Sequence, residues 1–539
     1  MTRPSPAVLA VFLLAVTAVL AGAMLAKGGL YFDTYEGDTL HLLDIVLREA
    51  RGQWPHLDFE TPIGLLATAP IALFVRMGAG AGHAMLYAQV LVATLALPAV
   101  WWASLTRFRG AYAYAFGGLS LVLFLALVYG GTDPAISMSM HYNRWAWAAA
   151  FVAVALAVLP PDEEIRAPVL DGVIVGAALA ALALLKVTYF IAFLPAIAVA
   201  LIGHRAVRTI AAAAATGLAI AAALTLLAGP GFWPAYIGDL LSVLTSEVRP
   251  RGSASLAEAV NSPERLGASI VLLASVMLLR QADRKLEGFV LLLLAPAFFY
   301  VTFQNFGNDP KWTWFLGLFL LRLRPAHEVR GEFGYDTRQP IFIAAVLSLA
   351  FATPSLTNMA FSPLRHLGVD TAGYVPLLPG SGAHTDLQMP GGRLMAVTAM
   401  VTMDGAGQPF AEGRDPVARQ YSATFDGTDL PDCQIDSGFT TVFTTISEDL
   451  EAAGLVDGKT VLAADLISPY WLYGAGEPLP GAAPWYYGGL PGWDSVDYLL
   501  IPMCPISMGV RKLFLDAVAD AGTPLTEVRR NELYLLYTK

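Results

Sequence analysis

Long apolar runs, recurring through the first two thirds of the chain, limit its fold more than any other feature. Most are about 17–22 residues long and almost free of charge, the length that a helix needs to cross a bilayer core of about 30 Å. Candidate spans lie near 7–27, 83–105, 111–131, 145–160, 168–185, 187–203, 208–228, 266–280, 287–304, 312–322 and 338–355. Only 14% of the residues are charged, against about 25% in soluble domains. A soluble core cannot hide that much apolar surface. The expected class is a polytopic α-helical membrane protein of about eleven transmembrane helices.

A further apolar run, near 62–75, decides the topology. The short basic loops are Arg107/Arg109, His204–Arg208, Arg280–Lys285 and Arg322–Arg338. Positive charge collects on the cytoplasmic side, and all four loops share that side only if the 62–75 run does not cross. That run is therefore expected as a re-entrant or interfacial helix. The apolar run after Arg3 is too long for a signal-peptide core and reads as the first span. With the N-terminus cytoplasmic, residues 356–539 fall outside, and the layout fits a bacterial inner membrane facing a periplasm.

Charge separates two regions. Residues 1–355 net +1 and residues 356–539 net −11. The acidic part is expected to be solvated, with 356–410 as linker and 411–539 as a small C-terminal α/β domain. Strand-like runs stand at Thr460–Ala464, Tyr498–Ile501 and Tyr534–Tyr537, and helical patterns at 446–454 and 508–521. Both cysteines, Cys433 and Cys504, lie here; they are either two small apolar residues or, in an oxidising compartment, a disulfide. No nucleic-acid-type basic patch and no zinc-type Cys/His spacing occurs, and the oligomeric state is not readable.

The polar loops 29–61, 132–144, 229–264 and 303–311 all share the outer face, so chemistry is expected there. The first contains Asp33, Glu36 and Asp38, three carboxylates within six residues. Residues 39–51 then read as an amphipathic helix, with Leu40, Leu43 and Leu47 on one face, Asp44 and Arg48 at i,i+4, and Gly52 at its end. Asp38 suits an N-cap, which explains one carboxylate and not three. His56 and Asp58 follow in a second polar cluster before Pro62. The next outer loop supplies Asp133, Asn143 and Arg144; Asp133 before Pro also suits a plain turn, and Arg144 also suits snorkelling. Lys186 sits between two apolar helices, as a turn residue or a phosphate ligand. The last outer loop offers Asn308 and Lys311.

This layout resembles the GT-C integral-membrane glycosyltransferases, in the protein-mannosyltransferase and aminoarabinose-transferase-like branch. The likeness covers residues 1–355 as architecture and about 30–64 as motif, with echoes at Asp133, Lys186 and 304–312. The branch opens its first outer loop with adjacent Asp and Glu; here Glu36 matches the Glu, and the Asp role falls to Asp33 or Asp38. The resemblance implies a polyprenyl-phosphate-linked sugar as donor and an extracytoplasmic acceptor (lipid, glycan or protein). It implies a catalytic carboxylate among Glu36, Asp38, Asp33 and Asp133. Arg144, Lys186 and Lys311, with His56, Asp58, Asn143 and Asn308, would bind substrate and the leaving phosphate. No cofactor is expected, and a divalent metal at the three carboxylates is an option that is not adopted.

Two other classes fit the composition. A transporter would carry charges within its helices and internal repeats, and almost none of either is found. A non-catalytic assembly subunit would scatter its outer carboxylates. The topology is tested by fusing a reporter active only in the cytoplasm after Lys539: it should be silent, and a bright fusion overturns the orientation.

Overall fold

The structure is a computed structural model, described here for residues 3–248, 263–304, 309–332, 334–404, 408–410, 412 and 422–539. Within a bilayer every backbone amide must be paired inside the chain, and the apolar runs accordingly form helices. These are α1 (Pro6–Leu25), α4 (Ala81–Arg107), α5 (Ala111–Leu125), α6 (His141–Val158), α7 (Pro168–Leu185), α8 (Val187–Gly203) and α9 (Val207–Ala228). Four more follow at Pro263–Gln281, Lys285–Gln304, Trp312–Leu323 and Arg338–Leu367. Among the described residues, six helices are long and apolar enough to cross a membrane: α1, α4, α7, α9, Lys285–Gln304 and Arg338–Leu367. α9 is barely covered by protein, and Leu218, Leu226 and Leu227 stand exposed on it as a lipid-facing surface would require. The chain is thus a mostly helical protein of membrane character.

α7 and α9 touch backbone to backbone. Gly172 and Gly176 are four apart, and a Cβ on them would fall 2.4 Å from the Thr209 carbonyl oxygen and 2.3 Å from that of Ala213. Small residues at this spacing let membrane helices approach closely. The 62–75 run folds as a single turn, Leu65–Ala67, and the eight-residue α3 (Ala69–Arg76). α3 rises only about 12 Å, well short of a bilayer core.

Three boundaries differ from expectation. α6 begins at His141, so Asn143 and Arg144 belong to its first turn and not to a loop. The last apolar helix runs on to Leu367. The stretch read as linker holds three strands: β2 (Tyr374–Pro376) and β3 (Leu387–Pro390), in a three-stranded sheet with β1 (Leu30–Tyr31) in the order β1-β3-β2, and Thr398–Val401, paired with Cys433–Ser437. β1 is the first polar segment after α1, so this sheet ties the start of the acidic loop to the C-terminal part.

Beyond it, strands Val461–Ala463, Tyr498–Pro502, Thr526–Arg530 and Tyr534–Thr538 form one mixed sheet, accompanied by helices Phe439–Ala452 and Met508–Ala521. Cys433 and Cys504 are joined in a disulfide, their α-carbons 5.2 Å apart.

The amphipathic helix α2 (Glu36–Ala50) is the joint between the two regions. Asp44 and Arg48 pair at i,i+4, as their spacing predicts, but inside the protein: each is only 2% exposed. Asp44 accepts a hydrogen bond from the Trp471 indole at 3.1 Å, and Arg48 donates to the Leu479 carbonyl at 2.9 Å. The Arg48 guanidinium also lies 5.5 Å from the Trp471 ring centroid and 5.7 Å from that of Phe59. Backbone bonds from Glu60 to Ala482 and from Gly481 to Asp58 continue the seam. Asp44→Ala would strand the buried guanidinium, and breaking such a pair costs about 3–5 kcal/mol. Thermal unfolding of the detergent-purified protein should show a large loss for Asp44→Ala and little change for Arg51→Ala, whose ion pair with Glu477 is exposed.

Candidate functional site

The acidic loop turns into α2 through Tyr35, a non-glycine residue held in the left-handed region at φ 65°. The helix therefore starts at Glu36, two residues before Asp38. This corrects the capping expectation: Asp38 lies in the first turn, where the free amides and the helix dipole favour anions, and it does not cap. Ser139 donates its hydroxyl to the Asp38 carboxylate at 2.7 Å. Burial raises the Asp38 pKa above the ordinary carboxylate value, the Ser139 bond works against that rise, and the charge of Glu36 adds to it.

Glu36 is 2% exposed and forms an ion pair with Arg393 at 2.9 Å. Its other oxygen is buried with no hydrogen-bond partner among the described residues. Glu36 and Asp38 line one cavity of about 260 Å³, walled on its far side by Arg393, Asp436, Phe439 and Trp485 of the C-terminal part. Trp485 in turn packs on the half-buried His41, ring centroids 5.2 Å apart, and desolvation lowers the His41 pKa to about 3. His41 is therefore neutral at physiological pH.

The other two carboxylates do not line this cavity. Asp33 accepts from the Tyr374 hydroxyl at 2.5 Å and from the Ile136 amide at 3.0 Å, which clamps three segments together. Asp133 is exposed and accepts from the Ala135 amide two residues on, as a turn residue does. His56, held at φ 72°, is bonded to Asp239 of α10 (Phe232–Thr245) at 2.8 Å, and Asp239 also accepts from the Thr61 amide. Asp58 accepts from the Trp54 amide. These two support the loop rather than face the cavity. Among the described residues no three His, Cys, Asp or Glu side chains are grouped to share a metal ion.

Two of the predicted cations, Arg144 and Lys311, come together. The Lys311 ammonium is ion-paired to Asp309 and sits 4.8 Å from the Tyr129 ring centroid, and that of Lys186 sits 5.8 Å from the Tyr142 centroid. Arg144 is fully buried, donates to the Ala126 carbonyl at 2.6 Å, and lies close enough to Lys311 for the two charges to interact. Its Nε and Nη1, and both amide atoms of Asn143, are buried without hydrogen-bond partners among the described residues. Asn308 lies outside the described residues. Ser139, which holds Asp38, stands five residues before Arg144, so one short stretch of chain links the carboxylate pair to the cations.

Sequence reading missed Arg393, Asp436 and Trp485, because nothing local marks them as partners of a loop more than 350 residues away. It also missed Glu49 at the far end of α2. Glu49 accepts from the Thr68 hydroxyl, and burial raises its pKa to about 8. In the unfolded chain this carboxyl ionises near the ordinary value of 4.5. The folded state therefore binds the extra proton between about pH 4.5 and 8, and this group's contribution to stability falls as pH rises through that window. Glu49→Gln should remove that fall, so melting temperatures of wild type and variant should diverge progressively from pH 5 to pH 8. Parallel curves would contradict a neutral Glu49.

Compared with known proteins, the chain matches no family model, no curated protein and no solved structure.

Proposed function

We propose that this protein is a glycosyltransferase that moves a sugar from a polyprenyl-phosphate donor to an extracytoplasmic acceptor. The observation that carries the reading is the pairing of Glu36 and Asp38 in one cavity, joined through Ser139 to the segment that bears Arg144. Its frame is a membrane bundle of about eleven crossings with the C-terminal part outside.

Asp38 is assigned as the base. Burial strengthens it as a proton acceptor, and the Ser139 bond fixes its orientation. Glu36, tied to Arg393, positions the acceptor and supplies negative charge beside the anomeric carbon as positive charge develops there. The acceptor oxygen forms its bond to that carbon while the carbon–phosphate oxygen bond breaks. Asp38 takes the hydroxyl proton, and the lipid phosphate leaves with the bonding pair. Arg144, Lys186 and Lys311 would receive the phosphate, each through a charge-assisted contact. Arg144 stands in the first turn of α6, Lys186 separates α7 from α8, and Lys311 precedes the helix Trp312–Leu323.

The test begins with mass spectrometry of envelope glycans with and without the gene, which identifies the product. Variants then separate roles. Asp38→Asn keeps the side chain's shape but loses the proton acceptor, and transfer should drop by about 10²–10⁴. Glu36→Gln should also lower transfer. If both variants insert stably and transfer at the wild-type rate, neither carboxylate acts and the mechanism fails.

A further inference from the structure

A second, larger cavity of about 570 Å³ lies between α10 and the C-terminal part. α10 contributes Ser242 and Thr245, and the chain just after it contributes Ser246 and Glu247. The outer loop contributes Glu60, and the C-terminal part contributes Tyr486 and Tyr487 with the Gly488–Gly489 turn.

Among the described residues, the lining has no Lys, Arg or His to offset the charge of a phosphate or a nucleic acid. Hydroxyls and carboxylates alternate with apolar patches, which argues against an acyl chain. Hydroxyl groups, carboxylates and an aromatic face are what a sugar ring presents to and needs from a protein: donors to carboxylate oxygens, and C–H surface against a ring. Glu60 is half-buried, and burial together with the charge of Asp239 raises its pKa.

The position of the cavity adds a second argument. Trp485 lines the Glu36/Asp38 cavity, and the next two residues, Tyr486 and Tyr487, line this one. The Tyr486 amide donates to the Leu466 carbonyl at 2.9 Å, and Leu466 also walls the smaller cavity. Tyr486 is fixed further by its ring contact with Phe514 and by its hydroxyl bond to the Gly489 carbonyl. One rigid aromatic segment thus forms a wall of each cavity.

We infer that the larger cavity binds a neutral oligosaccharide, the body of an acceptor whose end residue reaches Glu36 and Asp38 past the Trp485–Tyr487 wall. The acceptor role rests on the transferase reading; the binding itself does not.

The experiment uses the full chain in detergent, fluorescently labelled and applied to an array of defined neutral and acidic oligosaccharides, with a lysine-rich peptide as a competing probe. Neutral oligosaccharides should bind. Tyr487→Ala and the exposed Glu247→Gln should each weaken binding by about tenfold or more, as loss of a ring contact or a charge-assisted hydrogen bond would. Glu247→Gln changes one exposed surface atom group, so its loss of binding cannot be assigned to misfolding. The inference is overturned if wild type binds no neutral oligosaccharide, if only the peptide or acidic sugars bind, or if both cavity variants bind normally. If binding holds while wild type transfers no sugar, the transferase reading alone falls.

Discussion

α2 is held by a charge pair that water does not reach. Asp44 and Arg48 would lose more solvation than they gain from each other, were the pair all they had. Trp471, Phe59 and the Leu479 carbonyl supply the rest. All three lie outside the helix, and two come from the C-terminal part. The helix that carries Glu36 and Asp38 at its start is therefore locked, at its middle, to a region more than 400 residues further on. Its first turn can then hold two carboxylates at a fixed angle to Arg393 and Trp485. Without that lock an isolated helix of this length would be marginal.

The same dependence shows in the loop that precedes α2. β1 pairs with β3, Asp33 reaches Tyr374 and Ile136, and Tyr35 is held in a conformation that non-glycine residues rarely adopt. Such backbone strain of about 1–3 kcal/mol persists only where surrounding contacts over-determine it. Here those contacts come from the 136–144 segment and from the C-terminal part. The acidic loop is thus assembled from three distant stretches of chain.

Local signals were readable wherever period and length suffice. The apolar runs, the i,i+4 pair of α2 and the strands near 460, 498 and 534 all follow from them. β2 and β3 did not show because strands of three and four residues are too short to display alternation amid Gly and Pro. The strand Thr526–Arg530 is polar and mostly exposed, so it carries no apolar alternation either. Of the four candidate bases, spacing could not separate Asp33 from Asp38, since both flank Glu36 closely. Their difference is tertiary: one meets Tyr374, the other Ser139.

The cations pose the sharper physical question. Arg144 is fully buried with two of its nitrogens unbonded among the described residues, and Lys311 beside it is paired to Asp309. Taking charge out of water costs several kcal/mol per ion unless geometry and hydrogen bonds offset it. Asp309 and the ring of Tyr129 offset Lys311, and the Ala126 carbonyl offsets Arg144 only in part. A buried guanidinium left so is expensive for a merely structural role. A phosphate would satisfy it, with oxygens for the unbonded guanidinium atoms. The carboxylate pair has the opposite imbalance, with Glu36 partly unbonded and Asp38 pushed toward its protonated form. A substrate with a hydroxyl at one end of the reaction and a phosphate at the other would relieve both, and the single stretch from Ser139 to Arg144 would hold the two ends in register.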